Sequence, residues 1–138
     1  MRLSLVQSRA LVGLQSPAVT VEVHLANGLP SFSLVGLADT EVKEARERVR
    51  CAITHAGLPF PANRRITVNL APADLPKEGS HYDLPIALGL MTAMGIFPPD
   101  QLAGHVALGE LALDGRLRAV PGVLPAAVAR ARSAATRP

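Results

Sequence analysis

Between Ala18 and Leu25 the chain alternates strictly, with Val19, Val21, Val23 and Leu25 separated by Thr20, Glu22 and His24. Successive side chains of a strand point to opposite faces, so this segment is a half-buried strand whose apolar face needs a cover. Leu3 to Leu14 favours a preceding extended strand, joined to it through a turn at Ser16-Pro17. Asn27-Gly28 is a turn signal, and Ser31 to Val35 follows as a third strand ended by Gly36, so the opening segment is predicted to be an antiparallel meander.

Helices supply the cover. Val42, Ala45, Val49, Ala52, Ile53 and Ala56 recur at helical spacing after a capping Asp39 or Thr40, and Gly57 and Pro59 end the pattern. The charged residues between them, including Arg46, Arg48 and Arg50, read as a solvated face. Arg64 to Leu70 is a fourth strand, and a loop of about a dozen residues, Ala71 to Tyr82, leads to a helix capped by Asp83. That helix is apolar on nearly every side (Leu84, Ile86, Leu88, Leu90, Met91, Met94), which places it centrally. His105 to Leu113 and Arg116 to Val120 flank an Asp114-Gly115 hairpin turn, and a final helix runs from Val123 to about Ala131. The fold class expected is α/β in the α+β sense, with a mixed or antiparallel sheet of about five to seven strands and three helices.

With 138 residues, of which 49% are apolar and 18% charged, one domain with a sizeable aliphatic core is expected. No Trp, one Tyr and three Phe make base stacking a minor theme. The single Cys51 forbids an internal disulfide, and with His24, His55, His81 and His105 scattered, no Cys-rich metal module or other metal site is expected. No apolar run is long enough to span a membrane, and the N-terminus lacks a signal-peptide pattern, so a soluble, cytoplasmic protein is expected. Net charge is +3, and the excess sits at the C-terminal end, where Arg116, Arg118, Arg130, Arg132 and Arg137 follow the last acidic residue, Asp114. A phosphate-binding surface and a basic helix end both fit that cluster. No G-x-x-x-x-G-K-[ST] and no H-E-x-x-H occur, which excludes a P-loop ATPase or zinc hydrolase carried by these residues.

Four ordered blocks carry a resemblance over almost the whole chain. They are Ser33-Leu-Val-Gly-Leu-Ala-Asp-Thr-Glu-Val-Lys-Glu-Ala-Arg-Glu-Arg-Val-Arg50, Arg65-Ile-Thr-Val-Asn-Leu-Ala-Pro-Ala-Asp-Leu-Pro-Lys-Glu-Gly-Ser80, Tyr82-Asp-Leu-Pro-Ile-Ala-Leu88, and Gly109-Glu-Leu-Ala-Leu-Asp-Gly-Arg-Leu-Arg-Ala-Val-Pro-Gly122. The chain closely resembles the N-terminal domain of the YifB/ComM family of magnesium-chelatase-like AAA+ proteins. The resemblance implies a Lon-protease-like domain of the ribosomal protein S5 domain 2 fold over residues 1–132, with 133–138 as a flexible tail. The family's AAA+ ATPase module is absent from this chain, so ATP and Mg2+ are expected only for that module and no cofactor for these residues. Full-length members resemble hexameric ATP-driven DNA motors that promote branch migration during natural transformation. The partners implied are single-stranded or branched DNA, the protein's own AAA+ module, and further copies of itself.

Lon-like folds include peptidases with a Ser nucleophile and a Lys base. The segment matching their nucleophile loop is Lys77-Glu-Gly-Ser-His-Tyr-Asp83, which makes Ser80 the one catalytic candidate, shifted by two extra residues. The base is expected on the final helix near Leu124, yet no Lys follows Lys77, and Arg cannot accept a proton near neutrality. Lys77 itself is in the same loop, and His81 reads as an exposed loop histidine. DNA contact or assembly is therefore the expected role, with Arg64, Arg65, Lys77, Arg116 and Arg118 as DNA-binding candidates.

Overall fold

The computed structural model describes residues 2–96 and 98–135. Strands β1 (Arg2–Arg9), β2 (Ala18–Ala26), β3 (Ser31–Val35) and β4 (Arg65–Ala71) form one mixed sheet in the order β1-β2-β4-β3. β1 with β2 and β2 with β4 run antiparallel, while β3 and β4 run parallel. Helices α1 (Thr40–Lys43) and α2 (Ala45–His55) connect β3 to β4, and α3 (Asp83–Ala93) follows the loop after β4. A short 3-10 turn (Pro99–Leu102), a two-stranded hairpin of β5 (Glu110–Leu111) and β6 (Leu117–Arg118), and α4 (Val123–Ala135) complete the described chain. The architecture is thus α+β, with its six described strands divided between two sheets. No described helix is long and apolar enough to cross a membrane.

The opening meander does not form. β3 lies one strand away from β2, and β4 occupies the place between them. A strand that leads into helices and returns parallel needs a crossover, and here α1 and α2 supply it. The Asn27-Gly28 turn is followed by Leu29-Pro30, so the connection is long enough to step over a strand position about 5 Å wide instead of closing a tight hairpin. In the centre, β4 buries Ile66, Val68 and Leu70 on the same face as Val19, Val21, Val23 and Leu25 of β2. The final helix reaches Ala135, past its expected end near Ala131, so three residues of the expected tail are helical and 136–138 lie outside the described residues.

One face of the sheet is covered by α2 and α3, whose buried residues Val49, Ala52, Ile53, Ile86 and Leu90 complete the core. Gly89 lets α3 settle onto β2: a Cβ there would come within 2.6 Å of Val23 Cγ2, and Ser4 donates to the Gly89 carbonyl at 2.5 Å. The Asp39 cap of the first helix is present, with Val42 N–H donating to Asp39 Oδ1 at 2.8 Å. Asp83, expected to cap α3, does something else. Tyr82 holds the cap position, and the fully buried Asp83 carboxylate accepts from Arg48 Nε (2.6 Å), Arg48 Nη2 (3.1 Å) and Leu111 N–H (3.0 Å). Burial pushes this carboxyl above its ordinary value, and the Arg48 hydrogen bonds oppose that shift.

Arg48, on the helix face read as solvated, therefore ties α2 to α3 and to the hairpin. Removing one member of a buried pair leaves the other charge uncompensated, at a cost of about 3–5 kcal/mol. Arg48→Met is expected to lower unfolding free energy by roughly that amount in urea titration, whereas Arg50→Met, which breaks the exposed pair with Glu47, should leave it nearly unchanged.

Candidate nucleic-acid interface

The loop after β4 holds the two residues that a hydrolase reading requires. Lys77 is completely buried and its ammonium donates to the carbonyls of Gly36 (2.7 Å) and Pro72. Its backbone is fixed as well, since Lys77 N–H donates to Leu37 O at 3.0 Å and Asp39 N–H donates to Lys77 O at 3.1 Å. Gly36 makes this closure possible: at φ +108° its missing Cβ would lie 2.3 Å from the Leu70 carbonyl oxygen. Burial lowers the Lys77 pKa from its ordinary value, but its hydrogen-bond partners are main-chain carbonyls and not Ser80. As a DNA-contacting candidate Lys77 is corrected, because an ammonium sealed against two carbonyls presents no charge to a phosphate.

His81 is also corrected, from an exposed loop residue to one that is 2% exposed. Its Nε2 lies 2.7 Å from the Arg9 carbonyl oxygen, which can only accept, so Nε2 carries the proton. The ring packs on Tyr82 with centroids 4.0 Å apart. Ser80 lines a cleft of about 280 Å³ with Glu41, Glu78, His81 and Pro121, and among the described residues its hydroxyl makes no hydrogen bond to Lys77 or His81. A hydroxyl without a base within reach is a weak nucleophile.

The four arginine candidates separate into two groups. Arg116 and Arg118 stand on the hairpin, which leans on α2: a Cβ on Gly115 would lie 3.4 Å from Ala52 O. Each has an acidic neighbour, Arg116 with Asp114 at 3.4 Å and Arg118 with Glu110 at 3.8 Å, so the hairpin offers little net charge. Arg64 and Arg65 sit where β4 begins. Arg65 is exposed and shares the sheet face of Thr67 and Asn69, turned away from α2 and α3, while Arg64 is half-buried and donates through Nε to Ala26 O at 3.3 Å. Neither forms an ion pair among the described residues. Further along the chain, Arg130 donates to the Gly104 carbonyl at 3.0 Å, and the side chains of Arg132 and Arg137 lie outside the described residues.

Sequence reasoning missed Arg2. Register brings it in: Arg2 pairs with Leu25, Leu25 pairs with Ile66, and Arg65 is the next residue of β4. Arg2 and Arg64 line one cleft of about 360 Å³ together with Phe60, Asn63 and Met94. Only strand order could have revealed this, because the two arginines are 62 positions apart in sequence. No group of three or more His, Cys, Asp or Glu side chains among the described residues could hold a metal ion.

Residues 21–137 match the family described as subunit ChlI of Mg-chelatase. The chain belongs to that family. It is 51% identical over 133 residues to the uncharacterized protein YifB of Salmonella typhimurium and 53% identical over 133 residues to the competence protein ComM of Haemophilus influenzae. Each alignment covers 96% of this chain and 26% of the relative. An uncharacterized protein of Mycobacterium tuberculosis is 45% identical over 125 residues, covering 91% of this chain and 25% of its own length. The chain thus spans about a quarter of the relatives it matches, at their N-terminal end.

The buried histidine makes stability depend on pH. Burial lowers the His81 pKa below its ordinary value, the Arg9 hydrogen bond opposing, so the unfolded chain takes up this proton first as pH falls. The stability that His81 contributes is present above about pH 6.5, the ordinary histidine value, and is lost as pH falls through the folded value. Thermal melts should show a lower Tm at about pH 5.5 than at about pH 7.5, and His81→Gln, which keeps a donor for Arg9 O, should reduce that difference.

Proposed function

We propose that this domain is the non-catalytic N-terminal module of a larger magnesium-chelatase-like protein, and that it contacts DNA through the end of the sheet where β4 begins. The observation that carries the reading is the gathering of Arg2, Arg64 and Arg65 there without ion-pair partners among the described residues. Unpaired guanidinium groups on a shared edge attract a polyanion, and each phosphate they neutralise releases counterions. The hairpin arginines, balanced by Asp114 and Glu110, are assigned a minor part. The name competence protein, borne by one relative, supports a DNA-handling role, as does the resemblance to ATP-driven branch-migration motors. In the whole protein the module would steady or guide DNA beside an ATP-driven ring, and support of that ring's assembly is the competing role.

The non-catalytic part rests on Ser80, which has no base within hydrogen-bond reach among the described residues. A fluorophosphonate probe is expected to leave Ser80 unlabelled at neutral pH; labelling that Ser80→Ala abolishes would restore the peptidase reading.

Fluorescence anisotropy with labelled single-stranded and branched DNA, titrated across salt, tests the DNA contact. Arg64→Ala combined with Arg65→Ala is expected to weaken binding by roughly tenfold and to flatten the salt dependence, while Arg116→Ala with Arg118→Ala changes affinity by less than about twofold. Lack of binding even at low salt would transfer the role to assembly.

A further inference from the structure

The cleft holding Arg2 and Arg64 is flanked by two others that share its lining residues. On one side it shares Arg2 and Ala93 with a cleft of about 450 Å³ that runs past Gly95 and Ile96 at the end of α3. On the other it shares Phe60, Pro61 and Arg64 with a cleft of about 250 Å³ that ends against Arg50. Among the described residues, none that lines the three clefts is acidic. The Arg2 guanidinium lies against Gly95, where a Cβ would come 2.9 Å from Arg2 Nη1. Arg64 is fixed by its bond to Ala26 O. Arg50, at the far end, is paired with Glu47, an exposed contact that a phosphate can displace at little cost. Arg46 adds a fourth cation nearby, its guanidinium donating to the Phe32 carbonyl at 3.3 Å.

Phe60 decides between occupants. It is half-buried, lines both the middle and the far cleft, and is backed by Phe32 with centroids 6.0 Å apart, so a ring lies in the floor where two clefts meet. Arginines spaced along a groove with an aromatic ring between them match a chain of alternating phosphates and planar bases. Duplex DNA keeps its bases stacked inside and uses only the charges. An acidic peptide uses the charges too but has no regular need of the ring.

We infer that this groove is a track for single-stranded nucleic acid, with Arg2, Arg64 and Arg50 on successive phosphates and Phe60 stacking a base. The inference rests on the DNA-contacting reading above and gives it a strand type and three residues, Arg2, Arg50 and Phe60, not among the sequence candidates.

The test is anisotropy of the full chain with labelled oligothymidylate and with a duplex of equal length, over a salt series. The expected result is tighter binding of the single strand. Arg2→Ala and Arg64→Ala should each lower the log–log salt slope by about 0.7, the value for one lost single-strand phosphate contact. Phe60→Leu, which keeps the site apolar, should weaken oligothymidylate about fivefold or more while leaving the salt slope unchanged and the chain folded at the assay temperature, with a modestly lower Tm from the lost Phe32 contact. Single-strand binding that survives Arg2→Ala and Phe60→Leu but falls with Arg65→Ala would overturn the groove and keep the DNA reading, because the strand would then lie across the sheet face. Equal loss of duplex and single strand, or displacement by polyglutamate that ignores Phe60→Leu, would also overturn it. Lack of binding to any DNA would remove the broader reading together with the groove.

Discussion

The placement of β4 between β2 and β3 governs everything around it. A strand paired on both edges and covered on one face must be apolar at alternate positions, and Ile66, Val68 and Leu70 meet that demand with 1% exposure or less. Burying three such side chains contributes about 1.5–3 kcal/mol each relative to leaving them in water. The antiparallel partner β2 fixes the register, and the parallel partner β3 fixes the crossover that carries α1 and α2 onto the same face. Once that arrangement exists, the first residues of β1 and β4 and the turn after α2 converge at one end of the sheet. Arg2, Arg64 and Phe60 come to line one cleft through topology, with Arg65 on the other face of the same end.

A second set of contacts locks the covering layer. Arg48 reaches from α2 to the Asp83 carboxylate at the start of α3, and the same carboxylate accepts the Leu111 N–H of β5. Three separate elements thus share one buried anion. Lys77 does similar work on the opposite flank, where its ammonium bridges the carbonyls of Gly36 after β3 and Pro72 after β4. Both charges are satisfied by fixed donors or acceptors, as burial demands. The loop after β4 is therefore a clamp on the crossover.

Much of this was legible in the sequence where the signal is local. The alternation of β2 and β4, the Asp39 cap, the spacing of α2 and the Asp-Gly turn each depend on residues a few positions apart, and each element appears where expected. Strand order is not local. Asn27-Gly28 reads as a hairpin turn, and only the competition for β2's free edge, won by β4, shows otherwise. The two buried charges were misread for a related reason. A carboxylate at a helix start looks like a cap whatever partner it later finds, a lysine in a loop is exposed in most proteins, and an arginine on a charge-rich helix face gives no sign that it will reach inward. His81 belongs with them, since nothing in its neighbours foretells the Arg9 carbonyl 72 positions away.

The same argument bears on what a domain like this offers a larger protein. Its buried ionisable side chains Asp83, Lys77 and His81 are engaged in holding the fold, Asp83 with Arg48, Lys77 with two carbonyls and His81 with Arg9 O. A nucleophile needs a base hydrogen-bonded to it, and among the described residues the Ser80 hydroxyl makes no such bond to Lys77 or His81. Binding needs charge and surface held in place, and at this end of the sheet β4 is paired on both sides while β1 is paired with β2. The side chains left over from folding, rather than those engaged in it, are the ones available to a partner. In this chain they include Arg2 and Arg64, which share a cleft with the ring of Phe60, and Arg65 on the opposite face of the sheet.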